Sequence, residues 1–149
     1  MSEGPLLPFV DEESAPFFEG ALRGELRVQR CSATGRLVFP PRALSPFAPR
    51  APLEWVTLSG RGTIWSFAVP HPPLLPWYAA LAPYNVVAVA LDEDPAVRLI
   101  GNLVARPGGP VNEVDPATIA IGAPVRAVFE RVSESITLVR WTMPRAPRR

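Results

Sequence analysis

Between residues 54 and 69 the chain reads EWVTLSGRGTIWSFAV, alternating apolar and polar side chains for most of its length and interrupted by Gly60 and Gly62. Period-two alternation is the pattern of a half-buried strand. A strand this long with two internal glycines is one that bends, as it must to coil around a small barrel. Four shorter β-patterned segments follow: YNVVAVAL from Tyr84, VRLIGNLV from Val97, VRAVFERV from Val125 and ITLVRW from Ile136. Asp92-Glu93-Asp94-Pro95 and Glu134-Ser135 supply turn residues between them. The Pro/Gly-rich connection from Arg106 to Pro124 holds one helical turn near Asp115-Pro116-Ala117-Thr118-Ile119. Five strands with a longer connection between the third and fourth predict a mainly β fold, a five-stranded OB-type barrel over residues 53–149.

The first 52 residues read differently. Asp11 or Ser14 is placed to cap a short helix with Pro16 in its first turn, ending near Gly24, with Phe17, Phe18, Ala21 and Leu22 on an apolar face. That face either packs on the chain's own barrel or docks on a partner. Leu26-Arg27-Val28-Gln29-Arg30-Cys31 alternates like a strand, Ser32 to Arg36 is turn-like, and Leu37-Val38-Phe39 forms a second short strand. The prolines from Pro40 to Pro52 forbid helix and central strand alike, so this stretch is extended or looped.

Composition limits the chemistry more than the fold. All 15 cationic side chains are arginine, which excludes a catalytic, Schiff-base or P-loop lysine. With 149 residues, 48% hydrophobic and 19% charged, the chain has enough material for one ordinary core. No apolar run approaches the roughly 18 residues of a membrane-spanning helix. The opening MSEGPLLPFVDEES lacks the basic and apolar regions of a signal peptide, so a cytoplasmic location without membrane attachment is expected. The formal net charge of +1 creates no global field toward nucleic acid. Cys31 is the single cysteine and His71 the single histidine. An intramolecular disulfide is therefore impossible, and a four-ligand Cys/His zinc site has too few ligands. No spacing supports a Cys31–His71 nucleophile pair.

Taken in order, FFEGALRGELRVQRCSATGRLVFPPR (Phe17 to Arg42), SGRGTIWSF (Ser59 to Phe67), PYNVVAVALDED (Pro83 to Asp94), LIGNLV (Leu99 to Val104) and IGAPVRAVFE (Ile121 to Glu130) resemble the DUF35 family. These are acyl-CoA-associated OB-fold proteins with an N-terminal rubredoxin-like zinc ribbon. The resemblance implies a ribbon over residues 1–52, but where the family typically has two Cys-x-x-Cys knuckles this chain has Cys31, Thr34, Ser45 and Ala48. A degenerate ribbon without zinc is expected, with Cys31 a small buried residue. The resemblance further implies a non-catalytic companion of a thiolase-superfamily enzyme acting on acyl-CoA substrates. Among these enzymes are thiolase-like aldolases that cleave steroid side-chain CoA esters, and acyltransferases or ketosynthase-like enzymes. The catalytic residues and the coenzyme A thioester would belong to such a hetero-oligomeric complex, with no cofactor held by this chain.

Seven arginines and only two acids, Glu25 and Glu54, lie between Arg23 and Arg61. They form either a solvated face or a basic surface for an acidic partner or the phosphates of CoA, with Arg30, Arg36, Arg42 and Arg61 as the contacts to test. Arg42 follows two prolines, so its backbone is stiff. The uncharged loop from Pro70 to Pro83 carries His71, Leu74, Leu75, Trp77, Tyr78 and Leu81; it caps the barrel or forms an interface. His71 is otherwise a structural loop residue, and Phe17 and Phe18 join Trp77 and Tyr78 as candidate partner contacts. Asp92, Glu93 and Asp94 read as a solvated turn, and Gly60 and Gly62 as bend glycines with no phosphate-loop lysine after them. Two readings compete with the accessory subunit: an OB module for single-stranded nucleic acid, disfavoured by the charge balance, and an independent acyl-CoA enzyme using His71 or an acid as base.

Overall fold

The protein is described by a computed structural model covering residues 4–145. Helix α1 (Ala15–Leu22) precedes a three-stranded antiparallel sheet of β1 (Leu26–Cys31), β2 (Leu37–Val38) and β3 (Leu53–Leu58), in the order β2-β1-β3. A five-stranded sheet follows, made of β4 (Arg61–Ala68), β5 (Val86–Leu91), β6 (Arg98–Gly101), β7 (Pro124–Arg131) and β8 (Thr137–Thr142), in the order β6-β5-β4-β7-β8. Helix α2 (Pro76–Leu81) sits between β4 and β5, and a single 3-10 turn (Pro116–Thr118) lies in the connection to β7. A parallel bridge between Leu103 and Trp141 brings the two outer strands together, with Trp141 N donating to Asn102 O at 3.0 Å and Val104 N to Trp141 O at 2.8 Å. The sheet thereby curls into the five-stranded OB barrel expected from the strand count.

One expected strand is in fact two. All six residues of β3 pair with β1, from Leu26 opposite Leu58 to Cys31 opposite Leu53, whereas β4 pairs with β5 and β7 in the barrel. Gly60 makes the change of sheet at φ +77°, a left-handed value that costs glycine little and other residues more. Alternation resumes on the far side of the glycines, so periodicity alone does not reveal the handover. Gly62 is needed for a different reason. A Cβ there would lie 2.5 Å from Val89 Cγ1 and 2.6 Å from Ala90 O, so only glycine lets β4 approach β5 this closely. The β4–β5 register then shifts between Ile64 and Ser66, leaving Trp65 as the bulged residue on the outer face while Ile64 enters the core.

The N-terminal helix keeps its expected length but not its expected cap. Ser14 Oγ accepts from Asp11 N at 3.0 Å, and Ser14 N donates to Asp11 Oδ1 at 2.8 Å, so the two polar residues satisfy each other and neither side chain caps the helix. Local side-chain bonding of this kind competes with capping. The other end closes with Gly24 at φ +73°, Glu25 N donating to Gly20 O at 2.8 Å and Gly24 N to Ala21 O at 3.0 Å, the Schellman arrangement.

The core is built from Leu26 and Val28 of β1 and Ile64, Val87, Val89, Leu91, Leu99, Val125 and Trp141 of the barrel, with Phe17 of α1 and Phe39 packed against it. One continuous apolar cluster thus spans ribbon and barrel. Asn85 is fully buried within it. Its Nδ2 donates to Leu103 O at 2.9 Å, its Oδ1 accepts from Leu103 N at 2.7 Å, and its carbonyl accepts from Asn102 Nδ2 at 2.6 Å. This amide supplies the backbone of the 102–104 segment with partners that no strand provides.

The acidic turn after β5 is more than a solvated loop. Asp92 is half-exposed as expected, but Glu93 accepts from the N–H and hydroxyl of Ser59, in the β3–β4 turn. The largely buried Asp94 reaches the ribbon, accepting from Arg36 Nε at 2.9 Å and Leu37 N at 3.2 Å. Sequence proximity hides both contacts, because the donors lie 34 and 58 residues away. Partial burial raises the Asp94 carboxyl, but the Arg36 guanidinium and the N–H groups of Leu37 and Ala96 outweigh it and hold the carboxyl below its ordinary range.

Replacing Asn85 by alanine leaves the Leu103 N–H and C=O buried without partners, so a loss of roughly 2–4 kcal/mol in urea-unfolding free energy is expected. Because the folded Asp94 carboxyl is depressed, its contribution is complete above about pH 4, the unfolded value, and disappears as pH falls through the lower folded value. Asp94→Asn is therefore expected to lower stability at pH 6 and to flatten the decline of the urea midpoint below about pH 4; a parallel decline in both proteins would refute the tether.

Candidate functional site

The two turns at Cys31–Thr34 and Ser45–Ala48 are each closed by a hydroxyl that accepts backbone N–H groups. Gly35 N donates to Cys31 O and Cys31 N to Arg36 O, both at 2.8 Å, with Gly35 at φ +71° and Thr34 Oγ1 accepting from Arg36 N at 3.3 Å. In the second knuckle the buried Ser45 Oγ accepts from Phe47 N and Ala48 N, both at 3.2 Å. Ser45 and Thr34 also flank the buried Cys31, and their hydroxyls bring its thiol down to about 7. These residues do not fit zinc: one thiol, two hydroxyls already occupied by backbone N–H groups and the methyl of Ala48 are not the thiolate and imidazole donors of a structural site. No group of three or more His, Cys, Asp and Glu side chains is placed to hold a metal among the described residues.

Beside the knuckles lies a cavity of about 350 Å³ at the junction of ribbon and barrel, lined by Arg36, Arg42 and Arg98 with Phe39 and Phe47 among its walls. Each guanidinium is positioned differently. Arg36 is paired with Asp94 and lies 5.0 Å from the Phe47 ring centroid. Arg98, on β6, lies 3.7 Å from the Trp65 centroid. Arg42 is held through its backbone: the buried Gln29 amide donates to Arg42 O at 2.9 Å and accepts from Arg42 N at 2.8 Å. The expected stiffness at Arg42 therefore rests on a buried side chain as well as on the preceding prolines. Sequence reasoning does not single out Arg98 or Phe47; the alternation around Val97 and Leu99 puts Arg98 outward, but nothing local announces the β4 bulge that brings Trp65 beneath it.

Arg30 and Arg61 do not line this cavity. Arg30 pairs with Glu54, its neighbour across β1 and β3, at 3.2 Å, and Arg61 stands 4.0 Å from Asp92. Both pairs are exposed. The basic stretch of sequence is thus divided, two arginines facing one cavity and two compensated elsewhere.

The aromatic candidates contribute to an apolar outer face. Phe17 and Phe18 meet edge to face at 5.2 Å and, with Leu6, Leu7, Ile100 and Val139, line a groove of about 530 Å³ between the N-terminal arm, α1 and the barrel. Ile100, 70% exposed, is shared with a second depression around Trp65, Phe67 and Ala88. Phe17 faces inward onto Phe39 at 5.6 Å, so the helix face is divided between the chain's own core and the surface. Trp77 and Tyr78 lie on α2, which buries none of its residues; Trp77 is exposed, whereas Tyr78 Oη accepts from Leu6 N at 3.0 Å and its ring lies 6.3 Å from that of Tyr84. His71 is exposed in the loop before α2. The structure brings no titratable partner to it among the described residues' hydrogen bonds and ion pairs, and it joins neither cavity.

Residues 55–130 match the family described as the C-terminal OB-fold domain of ChsH2, and residues 18–44 match its rubredoxin-like zinc ribbon domain. The alpha subunit of a 3-oxo-4,17-pregnadiene-20-carboxyl-CoA hydratase from Mycobacterium tuberculosis is 37% identical over 122 residues, 82% of this chain but 35% of that protein. The chain thus spans about a third of that relative's length. A solved structure described as the Ltp2-ChsH2(DUF35) aldolase superposes with a TM-score of 0.76 at 31% identity, covering 92% of this chain and 98% of that one. A DUF35 domain-containing scaffold protein from Methanothermobacter thermautotrophicus is 33% identical over 113 residues, 75% of this chain and 77% of that protein. Ribbon, barrel and the order of their elements are therefore shared across most of both chains, and the protein belongs to the DUF35 family.

Proposed function

We propose that the chain is a non-catalytic accessory subunit of a thiolase-superfamily enzyme acting on acyl-CoA, and in particular the companion of a thiolase-like aldolase that cleaves steroid side-chain CoA esters. The observation that carries this reading is the apolar outer face formed by Leu6, Leu7, Ile100 and Trp65, which are 61%, 46%, 70% and 51% exposed. Exposed apolar residues grouped this way mark an interaction surface more often than an open solvent face. The likeness to an aldolase containing a DUF35 chain, over nearly the whole of both chains, supports the choice of partner. The hydratase name of the mycobacterial relative and the scaffold name of the archaeal one support a role inside a complex on CoA esters.

The chemistry of the chain supports the same division of labour. His71 is exposed without a hydrogen bond or ion pair to a titratable group among the described residues, and Cys31 is buried, so neither has there the second group that a nucleophile or general base would need. Under this proposal catalysis belongs to the partner. The ribbon is held without zinc by the Ser45 and Thr34 hydroxyl bonds, the β1–β3 ladder and the Asp94 tether.

Co-expression with a thiolase-superfamily protein of the same organism is expected to yield a complex of fixed stoichiometry, and Ile100→Asp to reduce capture of that partner at least tenfold while the isolated variant keeps its circular dichroism spectrum. Turnover of acyl-CoA by the isolated chain would contradict the reading. The purified chain is expected to carry well below one zinc per polypeptide by elemental analysis, and treatment with a strong chelator to leave its melting temperature unchanged, in contrast to domains whose folding free energy comes from the metal.

A further inference from the structure

We propose that β3 is the pairing edge of a homodimer, two copies of the chain joining antiparallel along Leu53, Trp55 and Thr57 about a two-fold axis at Trp55. The other sheet edges are blunted. β2 has only two residues, and β6 and β8 are drawn together by the bridge between Leu103 and Trp141. β3 runs for six residues in unbroken register with β1 and contains no proline, bulge or cation, the devices that commonly protect an edge. Its single charge, Glu54, is taken up by Arg30.

The ladder with β1 defines which backbone groups are free. Ser32 N donates to Pro52 O at 3.2 Å, so the pairs in phase with it, Arg30 with Glu54, Val28 with Val56 and Leu26 with Leu58, are the hydrogen-bonded ones. The far side of β1 agrees: Cys31 N donates to Arg36 O at 2.8 Å, toward β2. Leu53, Trp55 and Thr57 therefore turn their N–H and C=O groups away from β1, and none of these groups has a hydrogen-bond partner among the described residues. Such a row is a template for another strand.

The spacing of the free groups fits the same strand in reverse. With Trp55 opposite Trp55 of the second copy, Leu53 falls opposite its Thr57 and Thr57 opposite its Leu53, so each outward N–H meets an outward C=O. Opposed residues are an even number of positions apart and share a face. Glu54 falls opposite Val56 and not opposite its own copy, so no like charges meet. A second copy supplies this self-complementarity by symmetry, and it sets the half-buried Trp55, the largest side chain of the edge, against its equal across the axis. The sheet β2-β1-β3 then continues through the second copy. This inference does not rest on the accessory role: the edge belongs to the ribbon and the Ile100 face to the barrel.

Sedimentation velocity on the full chain, from micromolar to millimolar concentration, tests the pairing. A concentration-dependent dimer is expected, as suits a contact of one strand per copy. Thr57→Pro removes an outward N–H that β1 does not use, on an edge where proline is tolerated, and is expected to raise the dimer Kd at least tenfold. Trp55→Lys brings two like charges to the axis and is expected to do the same. Ile100→Asp is expected to dimerise normally, and circular dichroism verifies that each variant is folded. On mild oxidation Trp55→Cys is expected to form an inter-chain disulfide, because Cα atoms in a hydrogen-bonded pair lie about 5.5 Å apart, whereas Thr57→Cys is not. A monomer at every concentration, a dimer untouched by both Thr57→Pro and Trp55→Lys, a dimer lost in Ile100→Asp, or cross-linking at position 57 in place of 55 would each overturn the proposal. Protection of the β3 amides from hydrogen exchange only when a different protein is bound would give the edge to that protein and overturn it equally.

Discussion

Everything in this fold depends on how the chain passes from one sheet to the other at Gly60. Upstream, β3 completes a six-residue ladder with β1; downstream, β4 becomes the central strand of the barrel, paired on both sides. A three-stranded and a five-stranded sheet are joined through one covalent corner, and their facing sides merge into a single apolar cluster from Leu26 and Val28 to Trp141. The acidic turn after β5 reinforces the corner from the other side, Glu93 holding the β3–β4 turn and Asp94 the first knuckle. Ribbon and barrel consequently share one core and one set of polar ties.

That arrangement explains how a knuckle segment keeps its geometry with so poor a set of metal donors. The backbone N–H groups that point toward sulfur in a thiolate knuckle still need acceptors, and Ser45 and Thr34 provide oxygen for them. The cavity beside the knuckles is a by-product of the same junction: its arginines come from the first knuckle, the proline-rich stretch and the barrel's edge strand, three places that only the shared core holds in register.

The sequence is most legible where a local rule decides the outcome. The helix before residue 24, the turn at Gly35 and the barrel strands follow from periodicity or from turn residues, whereas the burial of Cys31 is implied only by the resemblance to a ribbon without zinc. The bent strand reads correctly as β and wrongly as continuous, because alternation is blind to which sheet receives the hydrogen bonds. The polar groups that organise the junction are the least legible. Asn85 looks like an ordinary residue at a strand start, Gln29 like a solvent-facing position of an alternating strand, and Asp94 like a turn residue; each acts on backbone 13 to 57 positions away. Of the nine candidate contacts, Arg36 and Arg42 share a cavity and Phe17 and Phe18 a groove, whereas Arg30 and Arg61 are taken up by neighbouring acids.

The Gln29 amide touches residue 42 only through its main-chain N–H and carbonyl. The loop's course is therefore indifferent to what side chain sits at that position. The arginine there can give way to an acid, an aromatic or a small residue while the rim of the cavity stays where it is, so the charge of that rim is free to change without the fold changing with it.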